Sequence, residues 1–84
     1  MIAAARIRNA IRAKSETQQV VATQLGISAQ YLSDICAGRR SVSAFVAVRL
    51  EHVLGISAHK ILIDQVLEEL KKAQEEFKPM EVAP

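Results

Sequence analysis

The sequence predicts an all-α fold of five helices, and three observations carry that prediction. Both prolines lie beyond residue 78, so the first 78 residues contain no helix breaker. Apolar residues recur at the three-and-four spacing of a helix in five successive stretches. Half of the 84 residues are hydrophobic but only 4% are aromatic, with Tyr31, Phe45 and Phe77 as the only rings. The core must therefore be built from Ile, Leu, Val and Ala, which suits packed helices.

The first helix is predicted over Ile2–Ala13, where Ala3, Ala4, Ile7, Ala10 and Ile11 form an apolar stripe. Arg8 and Arg12 lie to one side of it and Arg6 to the other. Two roles stay open for them: a phosphate contact for one, or a solvated face for all three. Ser15 and Glu16 connect to a second helix, Thr17–Leu25, and a bend at Gly26 leads to a third, Ser28–Ala37. Val21, Ala22 and Leu25 face inward from one, and Ile27, Leu32 and Ile35 from the other. Thr17 and Ser28 each offer a side-chain oxygen to a backbone N–H one turn in. Gly38 follows at the left-handed position that ends a helix. Two helices joined by a short glycine-containing turn form a helix-turn-helix signature.

The fourth helix is predicted to start after Ser43, a capping hydroxyl, and to end at Leu54 before Gly55. Val46, Leu50, Val53 and Leu54 point to the core, while Phe45 and Val48 lie off that stripe on a second apolar surface. Ser57 caps a fifth, extended C-terminal helix from Ala58 to about Phe77. Ile63, Val66, Leu67, Leu70 and Phe77 give it more apolar stripe than one small core absorbs, so it is expected to pack on a second copy. The alternative is a lid over the first and fourth helices of the same chain. Glu68 with Lys71 and Lys72 is expected to form solvated pairs. Residues 78–84 are expected to be a tail.

Charge is unevenly distributed. Residues 1–50 carry seven basic side chains against two acidic ones, and residues 51–84 carry four against seven. A basic front and an acidic back orient a molecule toward a polyanion. Cys36 is the only cysteine, which excludes an internal disulfide and gives no reason to expect an oxidising compartment, so a cytoplasmic location is expected. The apolar runs fall far short of the roughly 20 residues of a membrane span. The acid-free opening MIAAARIRNAIRAK superficially resembles a transit peptide, but the same residues are needed as the first helix. His52 and His59 have no Cys or acidic companion at ligand spacing, so no metal site is expected. No nucleophile–base, paired-acid or phosphate-loop constellation is present. No enzyme activity and no cofactor are expected.

Gln18, Ala22, Gly26, Ile27, the run Tyr31-Leu32-Ser33, Ile35 and Gly38-Arg39-Arg40 together resemble the helix-turn-helix of the lambda-repressor-like (Cro/Xre) family of bacterial and phage DNA-binding proteins. The likeness extends more loosely from Ile7 to Leu54. It implies a lambda-repressor-like DNA-binding domain, taken as residues 1–57 ahead of the helix of residues 58–77 whose apolar stripe is expected to dimerise, and a third helix that enters the major groove by its N-terminal part. It also implies that Gln18 contacts the DNA backbone and braces the recognition helix, and that Tyr31 sets its hydroxyl against a phosphate. Among the outward residues of the third helix, Gln30 is the first candidate for base reading, because its amide can pair with the N6/N7 edge of adenine. Ser28 and Ser33 can bond to base or phosphate, and Ala29 can offer its methyl to a thymine methyl. Asp34 either accepts from a cytosine N4 amine or orients a loop arginine, and the second is the expected role. Arg39 and Arg40, beside a flexible glycine, suit phosphate clamping. Cys36, where many relatives carry glutamate, is expected to be a small hydrophobe.

These expectations describe a homodimeric repressor that binds double-stranded DNA at a pseudo-palindromic operator. A second possibility is an antitoxin that silences a toxin protein and represses its own operon. The stretch GRRSVSAFVAVRLEHVLGISA resembles HigA-type antitoxins, although the run HKILIDQVLEEL lacks the tryptophan and polar motif common in their last helix. A third is a helical adaptor that kept the fold and lost DNA contact, for which Asp34 and Ala29 are the only support.

Overall fold

A computed structural model describes residues 2–77. These residues form five helices and no strand: α1 Ile2–Ala13, α2 Gln18–Leu25, α3 Ala29–Cys36, α4 Ala44–Leu54 and α5 Ala58–Glu76. The expected tail lies outside the described residues.

Four of the helices start on the residue that the sequence nominates as a cap. The hydroxyls of Thr17, Ser28, Ser43 and Ser57 accept from the backbone N–H of Val20, Tyr31, Val46 and Lys60, at 3.0–3.2 Å. All four caps have extended backbone angles, so α2 and α3 begin one residue later than the sequence predicts. Ala37 likewise lies just outside α3 as its C-cap.

The core draws on every helix. Ile7 of α1, Val21 and Leu25 of α2, Leu32 and Ile35 of α3, Leu50 of α4 and Ile61 of α5 are all fully buried. Val42, in the loop between α3 and α4, joins the same cluster. Burying one such side chain stabilises the fold by about 1.5–3 kcal/mol. Ala58 and Ile61 belong to this cluster too, so the first turns of α5 are part of the same packed unit as residues 2–57. α5 thus lies against α1 and α4 in its first half, as the lid alternative has it. On its other face Ile63, Val66, Leu67 and Leu70 remain 51–58% exposed, and Phe77, its C-cap, 76%.

Three charged residues do other work than the sequence suggests. Glu68 is half-buried and is not a partner of Lys71 or Lys72; its Oε1 accepts from the backbone N–H groups of Ile2 and Ala3 and caps the start of α1. Arg6 donates from Nε to Asp64 of α5 at 2.6 Å. Arg8 donates from Nη1 to the carbonyl of Cys36, the last residue of α3. These partners lie 28–66 residues away in sequence, beyond the reach of helical-period arguments. Arg6 and Arg8 therefore tie α1 to α5 and α3 and are not simply a solvated face.

At the bend, Gly26 holds φ of +70°, and its open side is occupied by Arg49. Nη1 of Arg49 donates to the carbonyl of Leu25 at 2.7 Å, and its guanidinium lies 4.3 Å from the centre of the Phe45 ring. A Cβ on Gly26 would collide with that guanidinium and displace the cap. Gly55 ends α4 with nearly the same φ, +73°, but has nothing within 4 Å of the Cβ position. Gly55→Ala should therefore cost only the left-handed penalty, about 1–2 kcal/mol. Gly26→Ala should cost that plus about 1–2 kcal/mol for the lost charge-assisted bond. Urea unfolding of the two variants checks this, and equal losses would show that Arg49 moves aside without cost.

Candidate nucleic-acid interface

The exposed surface of α3 and the loop behind it is built from residues with two sorts of work. Leu32, Ile35 and Cys36 fix the helix to the core. Burial holds the Cys36 thiol above its ordinary value of 9.0, with nearby Arg8 opposing this more weakly, so it is a protonated small hydrophobe. Ser28 and Arg8 fasten the two ends of α3, the first by accepting from the Tyr31 N–H and the second by donating to the closing carbonyl of Cys36. What remains facing outward is Ala29 and Gln30, exposed, and Ser33 and Asp34, partly exposed.

Asp34 is the centre of a small network. Its Oδ1 accepts from Gln30 Nε2 at 3.0 Å, from Arg39 Nε at 3.1 Å and from Arg39 Nη2 at 2.9 Å. Its backbone carbonyl accepts from the N–H groups of Arg39 and Arg40, at 2.8 and 3.3 Å. The carboxylate that faces DNA poorly on its own is thus neutralised within the chain, and it ties Gln30 to the loop arginine. Gln30 gives one N–H to Asp34 and keeps its other N–H and its Oε1, the two atoms that pairing with an adenine edge needs. Gly38, at φ +77°, turns the chain sharply enough for the loop to fold back on α3.

The other expected contacts distribute around this network. Arg40 lies over the Tyr31 ring, 5.7 Å from its centre, and Tyr31 is half-buried against the core. Gln18 is exposed in the first turn of α2. Ser28 spends its oxygen as a cap acceptor and retains its O–H as a donor. The structure therefore brings Gln30, Asp34 and Arg39 into direct contact and places Tyr31 with Arg40.

A helix-turn-helix family model matches residues 7–61, well over half of the chain. The chain belongs to the Cro/C1-type helix-turn-helix family. No curated protein matches it significantly. As a family member it is a DNA-binding transcriptional regulator, and α2, the turn at Gly26 and α3 are its helix-turn-helix. The match ends at Ile61, the last fully buried residue of α5, and leaves outside it Ala3 of α1, which shares the same core. Among the described residues, no helix is long and apolar enough to cross a membrane, and no group of three or more His, Cys, Asp or Glu could hold a metal ion.

Sequence reasoning missed Arg49 as the clamp of the bend, although its position beside Leu50 is part of the local likeness to relatives. It also missed Gln65, whose amide bonds to the loop after α3. No local signal marks either one, because both partners are more than 20 residues distant.

The Asp34 network has a pH signature. The Arg39 hydrogen bonds, the largest influence, hold the Asp34 carboxyl below its ordinary value of 3.8, aided by the Gln30 bond and opposed by partial burial. A folded-state value below the unfolded one means that the network's contribution is complete above pH 3.8 and lost as pH falls through the folded value. In an NMR titration the Asp34 carboxyl should show a midpoint below 3.8 that rises in Arg39→Ala. A midpoint at or above 3.8 in the unsubstituted chain would mean that the pair is absent in solution.

Proposed function

We propose that the chain is a homodimeric, sequence-specific repressor of transcription, with Gln30 as the main base reader and Arg39 and Arg40 as phosphate clamps. The observation that carries this is the Gln30–Asp34–Arg39 network, which joins a side chain able to read a base to one able to hold a phosphate. Phosphate contacts give affinity and register, and base contacts give discrimination. In this arrangement the register set by Arg39 is passed to Gln30 through one carboxylate. Gln18 and Ser28 add donors to the backbone, Tyr31 its hydroxyl, and Ala29 and Ser33 the remaining groove contacts.

Dimerisation is supported by the free apolar face of α5. Ile63, Val66, Leu67, Leu70 and Phe77 are all more than half exposed, and Val48 of α4, 47% exposed, lines one apolar groove with Ile63, Val66 and Leu67. A contiguous apolar surface of this kind marks an interaction site. Covered by a second copy, it would set two recognition helices on successive major grooves about 34 Å apart. A toxin protein seated on the same face is the competing occupant, and co-purification of such a partner in place of a dimer would favour the antitoxin role. A cytoplasmic location follows from work on DNA.

The test is salt-titrated binding to a selected operator and to random duplex, paired with sedimentation. Gln30→Ala should cost about 1–3 kcal/mol on the operator and little on random DNA. Arg39→Ala should weaken both and lower the salt slope by about one, with the larger loss on the operator, where Gln30 also loses its link to the loop. Val66→Glu with Leu70→Glu should fold normally, sediment as a monomer and lose operator affinity. Equal losses for Gln30→Ala on both duplexes would remove its reading role.

A further inference from the structure

The loop that carries Arg39 and Arg40 is held at two ends by different elements. At its start, the backbone N–H groups of Gly38, Arg39 and Arg40 all donate back to α3. At its end, Val42 is buried, and its backbone is gripped by one side chain of α5. Oε1 of Gln65 accepts from Val42 N–H at 2.6 Å, and Nε2 of Gln65 donates to the Val42 carbonyl at 2.9 Å. One turn further along α5, Glu69 Oε1 accepts from the Ser41 hydroxyl at 3.2 Å. The two arginines lie between these anchors.

We propose that Gln65 is a positioning residue for DNA binding: its carboxamide fixes the end of the loop and so sets where Arg39 and Arg40 meet phosphate. This rests on the phosphate-clamp role proposed for the two arginines. The chemistry of the site calls for a carboxamide. A single backbone residue presents one donor and one acceptor, and among neutral side chains an amide matches both at once. Without Gln65 the buried Val42 N–H and carbonyl lose their partners, and the loop is left pivoting on its α3 anchor. Gln65 spends its amide on Val42 and bonds to none of the outward residues of α3. It acts from the helix whose opposite face, at Val66 and Leu67, is free for a partner. The bonds at Gln65 and Glu69 therefore link α5, and whatever covers it, to the clamp.

The experiment is a mutant cycle on the full chain, read by binding to labelled duplex DNA at several salt concentrations, by hydrogen exchange at the Val42 amide and by circular dichroism. Gln65→Met, which keeps the length and removes both bonds, should speed Val42 exchange and lower DNA affinity about tenfold, with helix content unchanged. Gln65→Glu, which keeps the acceptor and loses the donor, should fall between the two, and it carries the test if Gln65→Met unfolds. Placed on a chain already carrying Arg39→Ala and Arg40→Ala, either change should have no further effect on affinity. Undiminished binding by Gln65→Met, or the same loss with and without the arginines, would overturn the role of Gln65 while leaving the clamp standing. A wild-type chain without salt-dependent DNA binding would overturn the clamp, and the role of Gln65 with it.

Discussion

Helices α2 and α3 have eight residues each, about two turns, and at that length every backbone N–H and carbonyl near an end matters. Isolated helices so short are not stable in water, so their existence depends on packing and on partners for their ends. The fold solves this with side chains that reach from other elements. Arg49 takes the Leu25 carbonyl at the end of α2, and Arg8 takes the Cys36 carbonyl at the end of α3. Glu51 accepts from Ala58 N–H at the start of α5, and Glu68 does the same for α1. Each cap is also a tie between two elements, so the demand of short helices for end partners fixes how the helices lie on one another. The helix-turn-helix is held from α1 and α4 as much as by its own bend.

The network on the outward face follows from the same demand. α3 closes with the N–H groups of Arg39 and Arg40 turned back onto the Asp34 carbonyl, which brings the Arg39 side chain to the Asp34 carboxylate. An acid that would otherwise repel phosphate becomes the link between Gln30 and the loop. One side of α5 closes the core and grips the loop, while the other stays apolar and open. The apolar face proposed for a partner and the grip on the loop proposed to clamp phosphate thus meet on a single helix.

What the sequence made legible is what depends on neighbours within one or two turns. Thr17, Ser28, Ser43 and Ser57 cap residues three positions on, and Gly26 and Gly38 supply the positive φ that a tight turn needs. The helix starts and the inward faces could therefore be read directly. The role of Asp34 as partner of a loop arginine was readable for the same reason, five residues being within reach. Arg6, Arg8, Arg49, Gln65 and Glu68 were not, because a charged or amide side chain on a helix surface looks the same whether its partner is water or a backbone group of a distant element. Glu68 shows the limit: its i+3 and i+4 lysines satisfied a helical rule, and the start of α1, 66 residues away, held the actual partner.

The proposed repressor function requires two copies to present α3 in a fixed register through α5. Selection of bound DNA from a random duplex pool tests it most directly. The account predicts enrichment of a two-fold symmetric site whose half-sites lie about one helical turn apart. Enrichment of a single asymmetric half-site, or none at all, would contradict it.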